Sequence, residues 1–233
     1  MSSFANAITP ALFQSVGPVS FVAGNGTTAK VVIEPQVGAA AAGTLPAFYG
    51  GCTYIDLVAS STDAAGKDVL LYEGRIFTTQ ETTNTGAMST AGTNTITRAA
   101  GSFITDGWQV GDVAMIFAPV GTAANAAVDG IIGVLSGVAA GVLTASGAPW
   151  ANLALASGTR VVKVGQLFRA TVAANAGNSA TIPSVSLLAN AMDASIIRTE
   201  RKLGSTEMLI VAMQAAVAAL PAFVSISGQM ARY

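Results

Sequence analysis

Short apolar runs alternate with polar residues along this chain. Gly, Thr, Ser and Asn break them at intervals of roughly 8–12 residues, the spacing of an all-β domain. Few stretches keep a helical period. Residues 1–20 carry Pro10, Gly17 and Pro18 and read as an extended N-terminal arm. Gly24-Asn25-Gly26 is a turn signal, because Asn and Gly both accept positive φ. Thr28 to Glu34 (TAKVVIE) then reads as a strand ended by Pro35. Cys52 to Ala59 alternates, with Ile55 and Leu57 on one face and Tyr54, Asp56 and Val58 on the other. A polar turn (SSTDAAG, 60–66) leads to the β-rich run Asp68 to Phe77, in which Gly74 marks a bulge. The short connection predicts that these two strands form a hairpin.

The pattern changes at about residue 78. Residues 78–95 are almost wholly Thr, Asn, Gly and Ser, which marks an exposed linker or long loop. A second β unit follows: TITR (95–98), WQVGDVAMIF (108–117), short strands over 130–136 and 142–145, and TRVVKV (159–164). Gly74-Arg75-Ile76-Phe77 is echoed by Gly165-Gln166-Leu167-Phe168, as if residues 78–165 had been inserted within a strand or at a loop tip. The tail returns to the first pattern. Residues 182–188 read as a short strand or edge segment, and Glu200-Arg201-Lys202 as a solvated loop. Glu207 to Ala215 and Ala222 to Ser227 read as a closing hairpin. A helix over 207–220 competes on propensity; the continuous LIVAM run and Pro221 favour strand.

The resulting expectation is an all-β chain: a β-sandwich or jelly-roll-like domain with a second, small β-barrel-like domain inserted in it. The arm takes residues 1–20, the discontinuous sandwich 21–77 with 166–233, and the insertion 78–165. A chain of 233 residues has the length for one large β domain or two small ones.

Composition sharpens the picture. Hydrophobic residues make up 52% and charged residues only 10%, against roughly 25% charged in ordinary domains. Disorder is disfavoured, since disordered chains are apolar-poor and charge-rich. Ser, Thr, Asn, Gln, Gly and Ala must cover the surface, and hydroxyls and amides are far cheaper to desolvate than ions. Such a surface suits packing against copies of itself. The net charge of −1 offers no basic stripe for a phosphate backbone, so direct nucleic-acid binding is not expected. The start Met-Ser-Ser-Phe-Ala-Asn-Ala lacks the basic and apolar regions of a signal peptide. Two apolar stretches, 130–145 and 208–220, are shorter than the roughly 20 residues a membrane helix needs and read as strands and turns. No membrane association is expected.

The chain has no histidine and one cysteine, Cys52. Ser-His-Asp and Cys-His catalysis, imidazole metal sites and thiolate clusters are thereby excluded, and Cys52 is expected as a small buried hydrophobe. Paired carboxylates remain to be weighed, because glycosidases need only two. Asp56, Asp63, Asp68 and Glu73 lie near one expected hairpin, and Asp106 and Asp112 flank Trp108. Turn-forming Asp and strand-face Glu account for these, and the Asp106–Asp112 spacing lacks a Ca²⁺ loop. Trp108 and Trp150 read as core or subunit-contact anchors. Neither catalytic, cofactor-binding nor metal-ligating residues are expected, and the chain is not expected to be an enzyme.

Three stretches carry a resemblance: Gly26-Thr27-Thr28-Ala29, Asp56-Leu57-Val58-Ala59-Ser60-Ser61-Thr62-Asp63 and Lys67-Asp68-Val69-Leu70-Leu71-Tyr72. Together they resemble a family of bacteriophage virion proteins with a Gly-Thr-Thr turn, a strand ending in Ser/Asn-x-x-Asp and a short strand before Tyr. Pro183 to Leu188 and the apolar segment ending at Tyr233 are similar to that family's closing half. Thr95-Ile96-Thr97-Arg98, Gly101-Ser102-Phe103 and Asp106 to Asp112 resemble a small β module of phage tail and head proteins. The module's charged and aromatic later strands are replaced here by Gly, Ala and Val. The resemblance implies a virion-located β-sandwich that coats or builds a particle: a capsid decoration or cement protein bound as a homo-oligomer to the major capsid protein. A tail tube subunit stacking in rings and a host-glycan binding module are the alternatives.

Overall fold

The computed structural model describes residues 12–33, 52–75, 81–84, 86–117, 128–178, 181–189, 200–203, 207–219 and 221–232. The described chain is nearly all β, built from antiparallel strands in two sheets. One sheet holds β1 (Leu12–Val22), β16 (Phe223–Arg232), β3 (Cys52–Ser61) and β13 (Val185–Ser186) in that order, with β14 (Glu200–Leu203) also on β3. The larger sheet runs β11 (Leu153–Leu155), β6 (Met88–Ala91), β7 (Thr95–Arg98), β10 (Val142–Ala145), β9 (Ile132–Ala139), β8 (Val113–Phe117), β12 (Arg160–Val172), β4 (Lys67–Arg75), β15 (Glu207–Met213), β2 (Lys30–Ile33). β5 (Glu81–Thr83) pairs β12 off that path.

The two sheets sandwich one hydrophobic core. Leu57, Ala59 and Ile226 come from the smaller sheet, and Val69, Leu71, Phe168 and Val211 from the larger. Two expected hairpins are not hairpins. β3 pairs β16, β14 and β13, whereas β4 pairs β12 and β15. β15 lies on β4 and β2 while β16 lies on β1 and β3. Each short connection is instead an arch that carries the chain from one sheet to the other. A short turn between apolar runs favours local pairing only when both strands bury the same side against one sheet; here their apolar faces meet across the sandwich. The strand reading of 207–213 holds over the helix.

Bulges decide which residues face inward. In β3, Leu57 pairs Gly228 and Ile55 pairs Gln229, so Asp56 is the extra residue. A one-residue slip reverses the side-chain alternation, and Tyr54 and Leu57 are both buried in the sandwich although their spacing is odd. That corrects the expected assignment of Tyr54 to the face opposite Leu57. The side chains of Cys52, Ile55 and Asp56 lie outside the described residues. In β12 the extra residue is Leu167, between the pairs Gln166–Tyr72 and Phe168–Leu71. Val162 and Val164 therefore pack on the outer face of β4 and β15 with Tyr72 and Met208, while Phe168, Ala170 and Val172 enter the sandwich. With Val161 in a further cluster, this one strand serves three cores. Gly74 is not the bulge; a Cβ there would lie 3.0 Å from Met208 Cγ and 3.1 Å from Val162 Cγ1, so it permits close packing on that outer face.

The remaining strands curl around a third cluster that holds Ile96, Phe103, Trp108, Leu143 and Trp150. The chain leaves the sandwich at the end of β4 and returns along β12, and Gly74 pairs Val164. The echoed segments are therefore antiparallel neighbours and not two halves of one interrupted strand. Residues 78–95 are not a plain linker: β5 and β6 lie within them, and Thr82, Asn84 and Thr90 are buried. Asn84 Nδ2 donates to the Leu155 and Ala156 carbonyls at 2.8 and 3.1 Å, and the Asn84 and Gly158 amides bond the Thr159 and Asn84 carbonyls. These bonds close the curl where β5–β6 meets β11–β12. Gly133 gives Trp150 its place, since a Cβ would sit 2.3 Å from Trp150 Cζ2. Residues 12–20, expected as part of an arm, belong to β1. Pro18 is tolerated because β1 is an edge strand among the described residues, with a register shift between Val16 and Val19. Residues 1–11, Pro35, Ile76 and Phe77 lie outside the described residues.

Candidate functional site

The carboxylates singled out in the sequence do not assemble into one site. Asp63 lies in the arch between β3 and β4 and is 1% exposed. Its Oδ1 accepts the Ala65 amide at 2.9 Å, and its Oδ2 accepts the Ala218 amide at 2.8 Å from the arch between β15 and β16. Lys67 Nζ lies 3.4 Å from Asp63 Oδ2 and donates to the Ala216 carbonyl at 2.9 Å. The backbone adds to the joint. The Thr62 amide donates to Phe223 O and the Phe223 amide to Thr62 Oγ1, both at 2.9 Å. The turn after β12 joins through Ser61 N to Ala176 O and Asn175 N to Asp63 O. The Asp63 carboxylate thus ties two crossings between the sheets, and the backbone of residues 61–63 ties the third. The Ala218 and Ala65 amides, helped by Lys67, hold the Asp63 carboxyl below the usual carboxylate range despite its burial. Asp68, on the neighbouring strand, accepts from Thr171 Oγ1 at 2.6 Å and lies 3.8 Å from Arg169 Nε. Glu73 sits half-buried in β4.

The second group of acids pins the loop between β7 and β8. Asp106 Oδ2 accepts from Arg98 Nη1 at 2.6 Å and from Thr82 Oγ1 at 2.9 Å, and Thr82 Oγ1 accepts from Trp108 Nε1 at 3.0 Å. The Arg98 guanidinium lies 4.1 Å from the Phe103 ring centre and its side chain is 8% exposed. The guanidinium also packs against Gly101, where a Cβ would come within 3.2 Å of Cζ. Gly101 also has φ +84, so a side chain is disfavoured there twice over. Among the described residues Arg98 Nε and Nη2 have no hydrogen-bond partner. Asp112 accepts the Gln109 amide at 2.7 Å and lies 2.8 Å from Lys163 Nζ. Each acid of this loop is therefore neutralised by its own cation.

Trp108 and Trp150 are 3% and 2% exposed, too buried to stack on a sugar. What the pinned loop does present is apolar: Ile104 and Val110 are 59% and 66% exposed. Arg98, Thr82 and Lys67 are the residues that sequence reasoning missed. Arg98 is the last residue of a strand in a charge-poor stretch, and Asp106 eight residues on is its nearest acid in the sequence; that pairing was the available signal. Thr82 gave none, since nothing local separates it from the other threonines around it.

Among the described residues no group of His, Cys, Asp and Glu is placed to hold a metal ion, and no helix is long and apolar enough to cross a membrane. No family model, curated protein or solved structure matches this chain.

Proposed function

We propose that this chain is a non-enzymatic structural protein of a bacteriophage particle, a capsid decoration subunit that binds the outer shell as a homo-oligomer. The observation that carries this reading is the inward use of charge. Among the described residues, the pairs Lys67–Asp63, Arg98–Asp106 and Lys163–Asp112 turn their charge largely inward and pin the arches and the loop. In a chain only 10% charged, that leaves a weakly polar exterior whose desolvation on assembly costs little. The pinned loop supports the reading, because Ile104 and Val110 are apolar contacts held in place before any partner arrives, which lowers the entropy cost of docking. The virion assignment itself comes from the sequence resemblance. Docking would bury apolar area at roughly 25 cal/mol per Å² over many repeated interfaces.

Emptied phage shells provide the test. Purified protein should co-sediment with them, and cryo-electron microscopy should place its density on the outer surface. Assembly into rings or tubes without shell binding would replace this reading with that of a tail tube subunit. Turnover of a substrate, or absence from assembled particles, would end it.

A further inference from the structure

An open sheet edge is a row of unpaired amide and carbonyl groups, and proteins blunt such edges with short strands, charges, proline or bulges. The described strands here follow that rule almost everywhere. β5 and β11 have 3 residues each and β13 has 2. β2 begins with Lys30, and β14 reads Glu-Arg-Lys-Leu. The exception is β1, an 11-residue strand that pairs only β16 among the described residues.

The two halves of β1 differ. After Gly17 the edge is protected: Pro18 has no amide proton, and the register shifts between Val16 and Val19. Lys30 Nζ takes the Ser20 carbonyl at 2.5 Å while lying 5.0 Å from the Phe21 ring centre. Before Gly17, Leu12-Phe13-Gln14-Ser15-Val16 carries none of these devices, and no Asp, Glu, Lys or Arg occurs anywhere in residues 1–29.

We infer that Leu12–Val16 is a self-association edge, which pairs antiparallel with the same segment of a second copy of this chain. It rests on the reading of the chain as an oligomeric particle subunit and names the surface involved. A second β1 is the occupant that fits. It is neutral along its whole length, so no like charges face each other across the new ladder. An antiparallel pairing of identical strands also closes about a two-fold axis and does not propagate. The joint joins two five-stranded sheets into one.

Light scattering on the full chain over a wide concentration range tests this, together with hydrogen exchange of the amides of residues 12–16. A reversible monomer–dimer equilibrium is expected, with protection of those amides rising with concentration. Ser15→Lys should weaken association by about tenfold or more. The exchange measurement needs no variant, so it decides the matter even where Ser15→Lys folds poorly. A monomer at every concentration overturns the inference. So does a dimer whose exchange at 12–16 is independent of concentration. Sedimentation with emptied shells separates the two readings: an oligomer that binds shells while exchange at 12–16 stays independent of concentration removes this inference alone, and a β1-paired dimer that ignores shells removes only the decoration reading.

Discussion

The arch end of the sandwich and the loop of the curled unit use the same device, a buried charge that pins irregular backbone, but they satisfy it differently. Asp63 is held by two backbone amides and a lysine from two arches. Among the described residues Arg98 has one ionic partner, an aromatic ring and two nitrogens without partners. A carboxylate has few lone pairs, and backbone amides of adjacent arches can fill them. A guanidinium has five protons to place, and a loop of this length supplies acceptors for only some. The arch end is therefore the more strongly determined joint.

Asp63→Ala should have the largest effect. It orphans the Ala65 and Ala218 amides and strands Lys67, at a cost of about 3–5 kcal/mol in urea unfolding; a loss under about 1 kcal/mol would contradict the account of the joint. Gly133→Ala should cost about 1–3 kcal/mol through overpacking against Trp150, with a shift in tryptophan emission as the readout. Arg98→Leu should cost less, about 1–2 kcal/mol, because Asp106 is 30% exposed and regains water. The double variant Arg98→Leu/Asp106→Leu should lie closer to the parent than Arg98→Leu alone, since removing both members of a pair leaves no stranded charge.

Acid should separate the two ends as well. The folded Asp63 carboxyl titrates below its unfolded value, near 3.8. Its stabilisation is complete above that value and is lost as pH falls through the lower, folded one. Unfolding at pH 5 and pH 3 should show a loss in the parent that Asp63→Asn does not share. An equal loss in both would place the acid sensitivity elsewhere.

Much of the strand content was legible because strand periodicity is local. TAKVVIE, CTYIDLVA, TITR and the 142–145 run all coincide with strands. Pairing was less legible. The arches over 62–66 and 214–222 look like hairpin turns, and only distant partners show otherwise: Phe223 for Thr62, Ala218 for Asp63. The threonine-rich stretch read as linker because Thr82 and Asn84 find their partners at Asp106, Trp108 and Leu155.

The sequence alone determined that this is a charge-poor β chain without imidazole chemistry, because composition and alternation are properties of the residues themselves. Tertiary structure decided which sheet each strand joins and which way its side chains face. The bulges at Asp56 and Leu167 reverse the alternation of β3 and β12. A reversal of that kind is set by the register against a partner strand more than a hundred residues away along β16, or ninety or so along β4, and no local pattern records it.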